Sequence, residues 1–447
     1  MVHTSGMHRR RVLQLGGALA GLSLLPWESR RVAAQDDPEA GTIESEPVEG
    51  KTNVTWWSHT GEAFIEANKE MIARFEEANA DVHIVYQHFP YDVYFAKLPA
   101  AYASLEASDV QQMFGTWVAD YAVNGLLDPV PEDLAAGMAD TYLPATIGGY
   151  ELDGAYYGMP NEFNIEYGGM LVNDTLFADA GVGDLPATWD DLVVAAQELV
   201  QFDGEGKLTQ VGFGFKDSDP VNFLLYAMIL QQGASYWADD GIHVNLSTDA
   251  AKKAFADMTA LVTTDPVDSV DAYAGEAYEF FLQGKAGMAM RGPWVIPEAE
   301  AFPDLAWQYA PMPPYAGTEL KFAAESGWGE VVNARSAPEV KEAAWRFIAF
   351  MHEPDNIRDW NITTFTLPSR ADLVDDPQIL EAAPALATSF AALPFGQWIG
   401  PVRNRDAFFQ FIHDAFTSVA LGQQDSDTAL AAAEQNINAM IDQTIGP

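Results

Sequence analysis

Residues 280–294, FFLQGKAGMAMRGPW, carry a helix end, a strand and an aromatic platform in immediate succession. Phe280, Phe281 and Leu282 read as the last apolar turn of a helix, and Gly284 suits the left-handed residue that terminates one. The unbroken apolar run 286–290 is the pattern of a strand buried on both faces of an α/β sheet. Gly292 lets backbone approach a neighbour closely, and Pro293 pre-sets the first turn of a following helix. Trp294 is therefore expected just beyond the carboxyl end of a buried strand, the edge at which open α/β sheets bind ligands.

Working outward, the same alternation of short strands and helices recurs along the chain. Strands are expected at 54–57, 82–86, 110–114, 170–172 and 211–215. Phe64, Ile65, Asn68, Met71, Ile72 and Phe75 fall on one helical face, as do Val340, Ala343, Ala344, Phe347, Ile348 and Met351. Further helices are read at 189–201, 221–232, 249–263, 275–283, 406–421 and 425–442. A chain of 447 residues with 48% hydrophobic content can hold two sizeable cores.

The first fifty residues read differently. Arg9, Arg10 and Arg11 precede an apolar run, 12–25, too short and too rich in Gly and Ala to span a bilayer, and Val32, Ala33 and Ala34 offer small residues for cleavage. Residues 1–34 are thus expected to be an export signal of the twin-arginine type, followed by an acidic, unpacked tether over 35–50. With no cysteine in the chain, a cysteine-anchored lipoprotein, disulfides and thiolate metal sites are excluded. The net charge of -42 falls further once the leader's five arginines and one glutamate are gone, so nucleic acid is not an expected partner.

Four stretches, in order, resemble the extracellular solute-binding proteins of family 1, the maltose-binding-protein-like class that serves ABC importers. They are DGAYYGMP at 153–160, LVNDTLF at 171–177 leading through PATWDDL at 186–192, the Gly-Lys, Ala-Met, Gly-Pro-Trp pattern of 284–294, and GWGEVVN at 327–333. Together with the opening Val54 to Trp57, the resemblance covers most of the chain after residue 51. It implies an α/β, bilobed periplasmic-binding-protein fold of type II-like form, with a ligand cleft between two lobes joined by crossing segments. The lobes would comprise 51–163 plus 326–378 and 164–325 plus 379–447. It also implies an extracellular or periplasmic monomer that presents a sugar or oligosaccharide to membrane permease subunits, without a cofactor or resident metal.

A pyranose presents apolar C–H faces and polar edges, so its site needs flat aromatic surfaces and a few fixed polar groups. Trp57, Trp117, Trp237, Trp294 and Trp328 lie near strand or helix ends and are the candidate platforms, with Trp398 and Phe409 behind them. Trp56, Trp189, Trp307, Trp345 and Trp360 read as packing. His59 and Glu62 follow the first strand, Thr116 precedes Trp117, and Glu162 and Glu166 lie in the first crossing, where a carboxylate can accept two hydroxyls. Asn222, Tyr226 and Arg370 complete the polar candidates. Carboxylates with aromatics would equally suit a polyamine or other small cation. A secreted glycosidase is disfavoured because carboxylate pairs are uninformative in so acidic a chain, and no Gly-x-Ser-x-Gly elbow, zinc helix or phosphate loop occurs. A rigid surface adhesion module would need no soluble ligand.

Overall fold

The inner strands of the first sheet are covered by helices that bury their apolar faces against them, and the resulting order sets which loops meet. The structure, a computed structural model, describes residues 41–445; the expected leader lies outside them. The first sheet runs Thr42–Ile43, Val82–Phe89, Thr52–His59, Val110–Phe114, Trp328–Val332, Met159–Pro160. Thr52–His59 lies parallel to both neighbours, whereas Trp328–Val332 returns antiparallel, with Trp328 opposite Phe114. The second sheet runs Gln201–Phe202, Leu208–Gly214, Ala286–Met290, Met170–Asn173, Trp307–Ala310. The apolar run at 286–290 is wholly buried at its centre, as expected, and Gly284 holds φ +73° at the helix end before it.

Polar residues on apolar faces have local reasons. Asn68 sits on the buried face of helix Glu62–Ala78 because its amide donates to Tyr86 Oη at 3.1 Å and its carbonyl accepts from Trp360 Nε1 at 2.9 Å. Trp56, Trp189, Trp345 and Trp360 are buried as packing residues, and Trp307 is half-buried. Glu330 is more unusual: fully buried in strand Trp328–Val332, it accepts from Asn161 Nδ2 at 2.9 Å, and its other oxygen lies 3.7 Å from His352 Nε2.

Three expectations are corrected. The strand predicted at 54–57 extends to His59, so Trp57 is not at its end; it is half-buried inside it, with its ring 5.2 Å from Phe89 and beneath the Lys97 ammonium. The helix expected at 221–232 is Ser218–Gln231, buried on nearly every side, because a helix apolar all round belongs in a core. The tether is hydrogen-bonded to the sheet from Thr42 to Ser45 while remaining largely exposed: Thr42–Ile43 pairs with the edge of Val82–Phe89, and Ser45 Oγ donates to the Ile84 carbonyl at 2.8 Å while accepting from the Tyr86 N–H. Low hydrophobicity did not prevent this, since a free sheet edge rewards backbone groups whatever side chains accompany them.

Two short ribbons bind the segments that pass between the sheets. Glu162–Phe163 pairs antiparallel with Leu367–Pro368, and Phe322–Ala324 pairs parallel with Gly396–Trp398. Beside them Ser326 adopts φ +76°, and a Cβ on Gly115 would stand 2.5 Å from Ser326 Cβ, so only glycine permits this approach.

Candidate functional site

The carboxyl ends of Thr52–His59, Val110–Phe114 and Ala286–Met290 carry the candidate residues into the turns that follow them. From the first sheet comes an aromatic cluster centred on Trp328. His59 stacks on it with ring centroids 4.4 Å apart and planes 21° from parallel, while Phe114 and Trp117 meet it edge-on at 5.0 and 5.4 Å. His59 Nδ1 lies 2.8 Å from Gln112 Oε1, and burial pushes its pKa down to about 4, so the ring is neutral. Tyr91, at the start of helix Tyr91–Ser104, approaches the same cluster and is 46% exposed.

From the second sheet comes Trp294. It follows Gly292 in a 3-10 turn, Pro293–Val295, as the Gly-Pro pair predicts. Its indole N–H donates to Glu166 Oε1 at 2.7 Å, and the Gly292 N–H donates to Glu166 Oε2 at 3.2 Å. Tyr278 meets its ring edge-on at 5.4 Å. One turn of chain earlier, Glu162 Oε1 accepts the backbone N–H of Trp328 at 3.2 Å. The first crossing therefore holds the Trp294 indole through Glu166 and the Trp328 backbone through Glu162, while the Trp328 ring itself is buried under His59 and is not an open platform.

Both carboxylates are buried, and burial raises their pKa values. Glu162 reaches about 7, with the Glu166 charge adding to the effect and the Trp328 N–H opposing it. Glu166 is raised by burial against the counteracting Arg291 guanidinium, 4.0 Å away. Two arginines organise the remaining charge. Arg291 is paired with Glu276 and lies 3.8 Å from Asp217. Arg405 grips Glu325 through Nε and Nη2 at 2.7 and 2.8 Å and reaches Asp219 at 2.8 Å, its guanidinium lying over Phe409. Carboxylates outnumber these cations, so the two clusters are acidic and rich in acceptors.

The remaining predicted residues fall into two groups. Thr116 Oγ1 donates to Glu325 Oε1 at 3.2 Å and so joins the Arg405 cluster, as does Phe409. Asn222 and Tyr226 instead satisfy one another at 2.9 Å within the core helix, Asn222 also donating to the Phe409 carbonyl. Trp237 Nε1 donates to the Ile399 carbonyl at 2.7 Å, with its ring against Gly400. Trp398 ends a crossing strand with its ring against Gly148, and Glu62 stands exposed in the first turn of its helix. Arg370 donates to Asp372 and to the His352 carbonyl at 3.0 Å, not to the groups around Trp294.

Sequence reading missed Tyr91, Arg291, Arg405, Asp219 and Glu325. Tyr91 was accessible to the rule that found Trp294, since it follows a strand at a helix start. The ion pairs carried no local signal, because Arg405 and Glu325 are 80 residues apart.

The sequence profile of the bacterial extracellular solute-binding proteins matches residues 70–388, and the chain belongs to that family. A binding protein of Brucella abortus is 25% identical over 436 residues, spanning 95% of this chain and 98% of its own. The maltotriose-binding protein of Pyrococcus abyssi is 23% identical over 76% of this chain and 70% of its own. Among solved structures, the ABC substrate-binding protein of Listeria monocytogenes in complex with cycloalternan superimposes with a TM-score of 0.73 at 23% identity, covering 88% of this chain and 99% of that one. The fold is thus that of bilobed solute-binding proteins. Among the described residues no helix is long and apolar enough to cross a membrane.

Proposed function

We propose that the protein captures an oligosaccharide between its lobes and delivers it to the permease of an ABC importer. The observation that carries this reading is Trp294, half-buried and held through its indole N–H by the buried Glu166 of a crossing segment. A ring fixed in this way offers a flat surface to a sugar face, and acceptor-rich carboxylates suit hydroxyl edges. The names of the relatives, which bind maltotriose and cycloalternan, agree with that chemistry. Ligand docks in the open cleft, the lobes hinge shut about the crossings, and the closed face is what the permease recognises. The lobe division at 163/164, 325/326 and 378/379, with the edge strand Thr42–Ile43 added to the first lobe, is part of the proposal, as is a monomeric binding protein without catalysis or nucleic-acid affinity.

The buried carboxylates favour one other reading, a polyamine, whose ammonium groups would hold Glu162 and Glu166 ionised. Calorimetry of the mature protein with maltotriose, larger maltodextrins, spermidine and putrescine separates the two. Scattering with the best binder should show a smaller radius of gyration. Binding of spermidine alone would transfer the site to cations, and an unchanged profile under saturating ligand would exclude a closing cleft.

Export through a twin-arginine route is proposed from Arg9, Arg10 and Arg11 ahead of the apolar run, without a cysteine anchor. Changing all three to lysine should abolish most extracellular yield. Undiminished export would assign the leader to general secretion.

A further inference from the structure

Helix Gly115–Ala122 follows a strand of the first sheet, whereas helix Arg405–Ala420 packs against Ser218–Gln231, which follows a strand of the second. These two bodies touch at the start of helix Arg405–Ala420. Asn404, the residue before it, holds φ +44°, a left-handed conformation uncommon at a helix start, and its side chain caps nothing. Its N–H crosses instead to Asp120 Oδ2 of the first body at 2.9 Å. The Arg403 charge favours the same carboxylate, and Arg403 Nη1 is buried without a hydrogen-bond partner.

One helical turn before Asp120, Thr116 lies on the same face, and its Oγ1 donates to Glu325 Oε1 at 3.2 Å. Glu325 is in turn gripped by Arg405, the first residue of the other body's helix, at 2.7 and 2.8 Å. Two positions four residues apart on one helix thus engage a single helix start, Asp120 directly and Thr116 through Glu325. A carboxylate set against a helix N-terminus is also favoured by the helix dipole. The contact stands between the two groups of candidate residues. Trp117 meets the Trp328 ring at 5.4 Å, while Arg405 reaches Asp219, whose charge acts on Glu166, the partner of Trp294. Motion that parts the two groups breaks these bonds.

We infer that Asp120 is a positioning residue, clasping the two bodies through the start of helix Arg405–Ala420 and so setting how much of the protein stands closed before a ligand arrives. The role presupposes the closing cleft proposed above and governs affinity without a ligand contact. Apparent affinity falls with the fraction of the binding-competent conformer, so a weaker clasp means weaker binding.

The chain has no cysteine, so Glu77→Cys and Glu198→Cys, exposed on helices Glu62–Ala78 and Trp189–Leu199 of the two bodies, carry a spin-label pair without background. Label separations are measured by double electron–electron resonance in the mature protein, in Asp120→Ala and in Asp120→Asn, without ligand and with saturating maltotriose, beside calorimetry on the same three without labels. Without ligand, Asp120→Ala should shift the separations to longer values, and maltotriose should restore the wild-type distance. Its affinity for maltotriose should be roughly three- to ten-fold lower, the effect of one hydrogen bond to a charged group in a partly exposed place. Asp120→Asn keeps an acceptor for the Asn404 N–H and loses the charge, so it should fall between the two. Separations unchanged in Asp120→Ala would overturn the inference, whatever happened to affinity, because the residue would not then hold the bodies. Shorter separations would also overturn it, assigning the contact to the open form. Failure of maltotriose to bind wild type would remove the sugar reading, while the separations without ligand would still decide the clasp.

Discussion

Trp294→Ala should weaken binding of the preferred oligosaccharide about a hundred-fold while the protein remains folded. The ring is half-buried at the mouth of a strand, and its outer face is what a pyranose would cover. Aromatic contact beyond burial contributes about 0.5–1.5 kcal/mol, and the apolar area lost adds roughly 1 kcal/mol. The structure adds a third effect. Removing the indole leaves Glu166 Oε1 without its donor at 2.7 Å, and an unsatisfied buried acceptor costs about 1–3 kcal/mol. The first two, up to about 2.5 kcal/mol, approach the 2.8 kcal/mol or so that corresponds to a hundred-fold change, while the third is present in the free protein and reads as a lower melt. Trp294→Phe separates the contributions, since it keeps a ring and loses the N–H. If stacking dominates, phenylalanine recovers most of the affinity; if orientation of Glu166 dominates, it resembles alanine. Calorimetry alongside thermal melts decides the matter. Unchanged affinity of Trp294→Ala, or a collapsed melt, would show that the tryptophan is packing alone.

The second large effect concerns stability. Glu330 is fully buried; burial pushes its pKa up to about 8, while burial and the Arg370 charge push that of His352 down to about 3. Near neutrality the two stand as acid and neutral imidazole, with Tyr142 and Arg370 beyond the ring. The unfolded chain would release the Glu330 proton near its ordinary value of 4.5, the folded one only near 8. Between those values the unfolded state binds fewer protons, so this group makes stability fall as pH rises from about 4.5 to 8. Glu330→Gln has the same shape and nothing to ionise. It should match wild type within about 1 kcal/mol at pH 4 and exceed it by about 2–4 kcal/mol at pH 8.5. Denaturant unfolding of both proteins from pH 4 to 9 reads the difference directly, because other titrating groups cancel. A difference that does not change with pH would mean that Glu330 is ionised in the folded protein.

What the sequence disclosed follows from how far each signal travels along the chain. Ala286–Met290 and its turn were legible because a buried strand is an uninterrupted local pattern, and Gly284, Gly292 and Pro293 each act on their own backbone. Asn222 and Tyr226 bond one another within the helix, a pairing that the sequence does not disclose because a polar residue in an apolar helix looks the same whether it meets a ligand or its own neighbour one turn away. The charge arrangement was invisible: Arg291 gathers Glu166 and Glu276 from different elements, and only the fold brings them together. Glu330 sat inside a recognised motif, yet its burial against His352 depends on a helix end that no local spacing announces.

The short strand Thr42–Ile43 bears on crowding as well as on the fold. With Glu44 donating from its N–H to the Tyr86 carbonyl and Ser45 bridging Ile84 and Tyr86, the outermost ladder of the first sheet is closed by a segment too brief and too polar to be extended in turn. A second molecule finds no row of open donors and acceptors to continue. Two copies meeting at this edge would find the pairing already taken within each molecule, so the sheet ends with its own chain.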